Sequence, residues 1–212
     1  VREVVVTLHG LWMTGLEMAA LRRRLRDCGY TVRPFHYRSL WRSPAENARH
    51  LARFVDGLDA DVVHFVAHSL GGLVLLHLFE QAPLQRPGRV LMLGTPLIGS
   101  TAARHVANWP LLRRALLGRS LERGLLGGAP GWQGARELGM VAGTRGGLGM
   151  GTLFGAPLAS PHDGTVSVQE TRAVWVGEHL SVPHGHFGML YSRPVAEAAC
   201  RFLRGGTFDG RG

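Results

Sequence analysis

The stretch with the clearest chemical potential is Val62-Val63-His64-Phe65-Val66-Ala67-His68-Ser69-Leu70-Gly71-Gly72. Its first part is rich in β-branched and apolar residues and reads as a strand, while Leu73-Val74-Leu75-Leu76-His77-Leu78-Phe79 reads as a buried helix. Between them a sharp turn would lift the Ser69 hydroxyl out of the backbone, and the helix N-terminus would aim free N–H groups at developing negative charge. The turn is crowded, so Gly71 and Ala67 are expected to be small for steric reasons. A serine presented in this way suits nucleophilic acyl chemistry, which needs an imidazole to take the hydroxyl proton and a carboxylate to hold the imidazole. Asp163, in Pro161-His162-Asp163-Gly164, reads in isolation as a turn residue, but its carboxylate could accept a histidine Nδ1 proton. His184 and His186 stand late in the chain, and geometry must choose between them, because only one imidazole can bridge Asp163 and Ser69.

The elements around these residues alternate. Glu3–Leu8 reads as a short buried strand running into His9-Gly10-Leu11-Trp12. Thr14-Gly15-Leu16-Glu17 matches a capping box and is expected to open a helix through Cys28, stopped by Gly29. Thr31–Tyr37 is a second strand, with Pro34 suggesting an edge. Ser43-Pro44-Ala45-Glu46 is a second capping box, with proline at the first helical position, and it leads a stripe of Leu51, Phe54, Val55 and Leu58. This alternation before residue 80 argues for parallel pairing and right-handed crossovers. Arg89–Gly94 reads as the next central strand and Leu138–Thr144 as another. Residues 145–151 read as a flexible glycine-rich loop, and Ala173-Val174-Trp175-Val176 as a final strand. From Thr101 to about Arg136 the strand pattern gives way to broken helical patches.

Ala67-His68-Ser69-Leu70-Gly71 resembles the nucleophile elbow of the α/β-hydrolase superfamily, with alanine where the commonest form has glycine. His9-Gly10-Leu11-Trp12 resembles the oxyanion loop of lipases and esterases in that superfamily, and Gly94-Thr95-Pro96 resembles a turn of the same proteins. Asp163-Gly164-Thr165-Val166 resembles their acid loop. His186-Phe187-Gly188-Met189-Leu190, followed by a helix, resembles their terminal histidine segment, particularly that of small bacterial lipases. The resemblance implies a mostly parallel central sheet with helices on both faces, one domain over residues 1–212, and a helical cap over 101–136. It also implies a compact form without the two N-terminal strands of larger members. Ser69 would be the nucleophile, Asp163 the acid and His186 the base, with His184 the alternative base. The backbone N–H groups of Leu11 and Leu70 would form the oxyanion hole, His9 would bond within its own loop, and Trp12, His68 and Leu97 would contact substrate. The implied activity is that of a serine carboxylester hydrolase, an esterase or triacylglycerol lipase working through an acyl-enzyme. A thioesterase, an amidase, an acyltransferase and a noncatalytic hydrolase-like binding protein are the alternatives.

Composition narrows the partners. An apolar fraction of 45% with 18% charged residues in 212 residues describes a folded chain with one well-buried core. The net charge of +9 rests entirely on arginine, and the longest basic cluster, Arg22-Arg23-Arg24, is too short to mark a nucleic-acid surface. No His-Glu-x-x-His spacing or cysteine cluster points to a metal, and no glycine-rich phosphate fingerprint points to a nucleotide, so no cofactor is expected. The expected partners are an ester substrate and water, with transient contact of the cap with a lipid surface, in a monomer. Cys28 shares a helical stripe with Met18, Leu21 and Leu25, so both Cys28 and Cys200 are expected to be buried thiols rather than a disulfide. The chain opens as a strand rather than a signal peptide, so a cytoplasmic location is expected, with secretion the alternative if a segment precedes Val1.

Overall fold

A computed structural model describes residues 1–83 and 86–209. Six strands, β1 (Glu3–Leu8), β2 (Thr31–Phe35), β3 (Val62–His68), β4 (Val90–Leu93), β5 (Leu138–Gly143) and β6 (Glu178–Val182), pair in the order β2-β1-β3-β4-β5-β6. Every pairing is parallel. The longer helices that accompany the sheet are α1 (Ala19–Asp27), α2 (Pro44–Asp56), α3 (Leu70–Gln81), α4 (Thr101–Ala107) and α5 (Arg193–Gly205).

Side chains alternate across the strands, so the sheet has two apolar faces. Val63, Phe65 and Ala67 of β3 pack on one side with Leu51 and Val55 of α2 and Leu73 and Leu76 of α3. Val66 packs on the other, with Leu21 and Leu25 of α1 and Val195, Ala199 and Phe202 of α5. Helix α3 is covered on all sides, with every residue from Leu70 to Phe79 buried, because the sheet lies under it while α2 and the 101–136 segment flank it. The shared direction of the strands brings the turns after β1, β3, β4, β5 and β6 to one end of the molecule.

Local signals in the sequence act as expected in several places. Ser43 and Glu46 form a full reciprocal capping box on α2. Pro34 sits in β2, which is an edge strand. The Thr14–Glu17 box forms only in part: the Glu17 carboxylate accepts the N–H groups of Thr14 and Gly15, while Thr14 Oγ1 accepts from Leu16. The chain there makes a 3-10 turn over Leu16–Met18 before α1 begins, since Gly15 enters it with φ of 94°.

Three expectations are corrected. The final strand is Glu178–Val182, not Ala173–Val176. As an outer strand, β6 pairs on one side only and remains half-exposed, so its sequence Glu-His-Leu-Ser-Val lacks the apolar run of a central strand, whereas Val174 is fully exposed in a turn. The glycine-rich segment 145–151 is not loop throughout, because a one-turn helix, Met150–Leu153, begins within it. Cys28 and Cys200 are not free thiols but a disulfide joining the end of α1 to α5 across 172 residues. Helical periodicity identifies the inward side of each helix but not that the two helices lie side by side on one face of the sheet.

Residues 101–136 contain α4, short helical turns through Leu121 and a glycine-rich return. Leu117, Leu121 and Leu125 anchor the segment in the core, while Trp109 and Leu111 face outward. No helix among the described residues is long and apolar enough to cross a membrane.

Candidate active site

At the carboxyl end of β3 the backbone turns abruptly. Ser69 adopts φ of 52° and ψ of −120°, a conformation that costs a non-glycine residue about 1–3 kcal/mol and persists only where its surroundings enforce it. The enforcing contacts are visible. Ser69 donates its N–H to Leu93 O at 2.8 Å, and its own carbonyl accepts from Thr95 Oγ1 at 2.9 Å and Gly72 N at 3.0 Å. Gly71 leaves no room for a side chain, since a Cβ there would stand 2.8 Å from His9 O and 2.9 Å from Leu8 Cβ. The elbow and the turn after β1 are therefore in backbone contact, Leu11 lines the same cavity as Ser69, and Leu70 follows Ser69 directly at the start of α3. Among the described residues neither the Leu11 N–H nor the Leu70 N–H has a hydrogen-bond partner.

The loop bearing Leu11 is held from behind. The Tyr37 hydroxyl donates to His9 O at 2.5 Å, and its ring stacks on His9 with centroids 4.2 Å apart. Burial pushes the Tyr37 phenol far above its ordinary range, so it stays a neutral donor. His9 bonds Gly10 O through Nδ1 at 2.9 Å, in keeping with a role inside its loop, and burial lowers its pKa. Trp12 follows with φ of 62°; its backbone N–H reaches Ser39 Oγ and its indole N–H donates to Leu116 O at 2.5 Å.

Asp163 lies in the turn between β5 and β6 and is 1% exposed. Its Oδ1 accepts from the N–H groups of Thr165 at 2.9 Å and Val166 at 2.7 Å, which leaves Oδ2 for His186 Nδ1 at 2.6 Å. A second bond, His186 N to Asp163 O at 2.9 Å, fixes the two loops together. With Nδ1 donating to the carboxylate, Nε2 is the basic nitrogen of His186. Gly94, at φ of 59°, admits this pair, because a Cβ there would approach His186 Nδ1 at 3.1 Å and Asp163 Oδ2 at 3.2 Å. The buried Glu170 braces the loop that carries Asp163 by accepting from Ser167 N and Thr101 N.

A small cavity gathers Ser69, His68, His186, Leu11 and Trp12, together with Met13, Pro96, Ser100, Leu125, Met150, Thr165, Val166 and Phe187. Of the residues singled out by sequence, Ser69, His186, Leu11, Trp12 and His68 line this cavity, Asp163 joins them through His186, Leu70 follows Ser69 in the chain, and two stand apart. His184 points elsewhere: its Nε2 is hydrogen-bonded to Ser192 Oγ at 2.8 Å, and that oxygen also caps α5 by accepting from Val195 N. Leu97 does not line the cavity; its N–H bonds Glu170 O, its side chain joins the core beside α3, and Pro96 forms the wall instead. His68 lines the cavity but is 1% exposed and donates from Nε2 to His186 O at 3.1 Å. Its Nδ1 has no partner among the described residues. Burial first, then the neighbouring His186, hold its pKa well below the ordinary value, so it is neutral.

Tyr37, Thr95, Glu170, Leu125 and Met150 were not legible as site residues. Only Thr95 carried a signal, its place in the Gly-Thr-Pro turn. No group of histidine, cysteine or carboxylate side chains among the described residues could hold a metal ion.

No protein-family model matches this chain, and no curated protein matches it. Solved structures do. A mature lipase of Bacillus licheniformis, BlEst2, aligns over 90% of this chain and 87% of its own at 17% identity, with a TM-score of 0.65. The Bacillus subtilis carboxylesterase CesB aligns over 97% of this chain and 84% of its own at 14% identity, with a TM-score of 0.62. The metagenomic carboxyl esterase MGS0156 aligns over 86% of this chain and 64% of its own at 18% identity, with a TM-score of 0.61. With its all-parallel sheet and these neighbours, the chain has the α/β-hydrolase fold.

Proposed function

We propose that this protein is a serine carboxylester hydrolase, with Ser69 as nucleophile, His186 as base and Asp163 as the carboxylate that holds the base. The observation that carries the reading is the 2.6 Å bond from His186 to a buried Asp163, on the cavity that also holds a strained Ser69. His186 Nε2 takes the proton of Ser69 Oγ as that oxygen attacks the ester carbonyl carbon. The N–H groups of Leu11 and Leu70 receive the resulting oxyanion. The bond to the alcohol oxygen then breaks, and the alcohol leaves with the proton from His186. Water, deprotonated by the same imidazole, attacks acyl-Ser69 and releases the acid. His68, neutral beside His186, adds no positive charge against the imidazolium formed in each step.

Hydrolysis of p-nitrophenyl acetate by variants tests the assignment. Ser69→Ala and His186→Ala are expected to lose about four orders of magnitude in kcat, and His184→Ala less than about tenfold. Full activity in His186→Ala would overturn the choice of base.

We also propose that the protein works in an oxidising compartment, on the strength of the Cys28–Cys200 disulfide. Protein recovered from its native cell under alkylating conditions should carry no labelled thiol before reduction. Two labelled thiols at that stage would place it in a reducing compartment.

A further inference from the structure

Which esters the site accepts depends on how much room lies beside Ser69 and on whether the walls can move. The cavity there measures about 40 Å³. One water needs about 10–15 Å³ of such space, so it holds about three small atoms, against about 300–1,000 Å³ for a pocket that takes a drug-sized ligand.

The cavity has an inner and an outer end. Phe187, next to His186, and Trp12 are each about two-fifths exposed and stand at the mouth. Leu125 and Met150 are buried and close the interior. Of the two arms of an ester bound at Ser69 only one can leave past Phe187 and Trp12, and the other must fit inside the cavity; the acyl chain is taken as the inner arm.

The interior wall is not loose. Leu125 is bonded on both sides, Ser100 N to Leu125 O at 2.7 Å and Leu125 N to Ser120 O at 3.1 Å. The segment carrying it is fastened to α3 by His77 on Arg123 O at 2.7 Å and by the Arg123–Glu80 pair at 2.7 Å. Arg119 fastens it to Glu46 of α2 at 2.6 Å and, through its N–H, to Leu40 O at 2.9 Å. Trp12 adds the bond to Leu116 O described above. Opening the interior would break several of these contacts at once.

Resting on the ester-hydrolase reading, we infer that segment 101–136 is a pinned cover and that the site is selective for short acyl groups of about two to four carbons, with Leu125 and Met150 setting the limit. Long-chain acyl esters are excluded by the closed interior rather than by the alcohol side.

The test is kcat/KM for p-nitrophenyl esters from acetate to dodecanoate, with Ser69→Ala as the background, in the wild type, Leu125→Ala and Met150→Ala. The wild type should fall at least about tenfold from butyrate to octanoate, and either alanine variant should raise the octanoate-to-acetate ratio at least about tenfold. A wild type that prefers octanoate to acetate, with turnover lost in Ser69→Ala, overturns the size limit and leaves the hydrolase reading intact. Variants that fold, with an unchanged melting transition or near it, but keep the wild-type ratio overturn the role of Leu125 and Met150. Absence of Ser69-dependent turnover on every ester overturns both.

Discussion

His68, the residue directly before Ser69, donates from Nε2 to the carbonyl oxygen of His186 at 3.1 Å, so the elbow holds the backbone of the histidine loop. The bond itself favours the charged ring, but burial first and then the neighbouring His186 outweigh it and hold the pKa well below 6.5, so the imidazole is neutral.

The pH dependence of stability follows. Below pH 6.5 an unfolded chain takes up a proton that folded His68 refuses, so stability is fully present above that value and declines as pH falls toward the folded pKa. His9 and His64, also held down chiefly by burial, act in the same direction. The urea midpoint should therefore drop as the pH is lowered from about 7.5 to about 5, through the range in which the unfolded histidines gain their protons. A midpoint that stays level or rises over that interval contradicts the neutral, buried state of these rings.

Tyr37→Phe removes one hydroxyl and leaves His9 O without that donor. Since His9 leads directly into Gly10 and Leu11, the expected effect is on the oxyanion loop: kcat lower by about tenfold with KM little changed. An equal rise in KM with kcat preserved would show that Tyr37 shapes substrate binding instead.

Reduction of the Cys28–Cys200 bond releases a constraint on nearly the whole chain between α1 and α5. A loop of that length is expected to contribute about 2–5 kcal/mol, and Cys200→Ser should lower the melting temperature by about 5–15 °C in a domain of this size. Thermal scans with and without reductant measure it directly; identical transitions would mean that the bond adds nothing to the folded state's advantage.

Gly71→Ala places a methyl group against His9 O and Leu8 Cβ, where backbone lies on one side and core on the other. The expected outcome is a loss of at least about 2 kcal/mol of stability or a displaced elbow with strongly reduced turnover. Denaturant unfolding together with ester hydrolysis separates the two; a stable, fully active variant would refute the tight packing of the two turns.

Much of this arrangement is written in short stretches of sequence. Ser69 is identified by a strand, small residues and a helix within a dozen positions, and Ser43 with Glu46 marks the start of α2 without help from distant residues. Asp163 and His186 are also marked by their neighbours, though their pairing across 23 residues needs the sheet to bring two loops together. What local sequence does not reveal depends on contacts between remote segments. Neither Cys28 nor Cys200 carries a sign of its partner, and Tyr37 holds a loop 28 residues away. Leu97 and Pro96 differ only in which way one turn faces, a matter set by the bond from Leu97 to Glu170. The outer strand β6 is obscured by its own half-exposed, polar composition, which gives the more apolar Ala173–Val176 the look of a strand.

An activated Ser69 hydroxyl should react with an electrophile that mimics an ester carbonyl. Intact-mass measurement after treatment with a fluorophosphonate tests it most directly. The wild type should gain one phosphonyl group on Ser69, Ser69→Ala none, and Asp163→Asn should label far more slowly because its imidazole is no longer held by a carboxylate. Folded wild-type protein that remains unmodified, or is labelled equally with alanine at position 69, would contradict it.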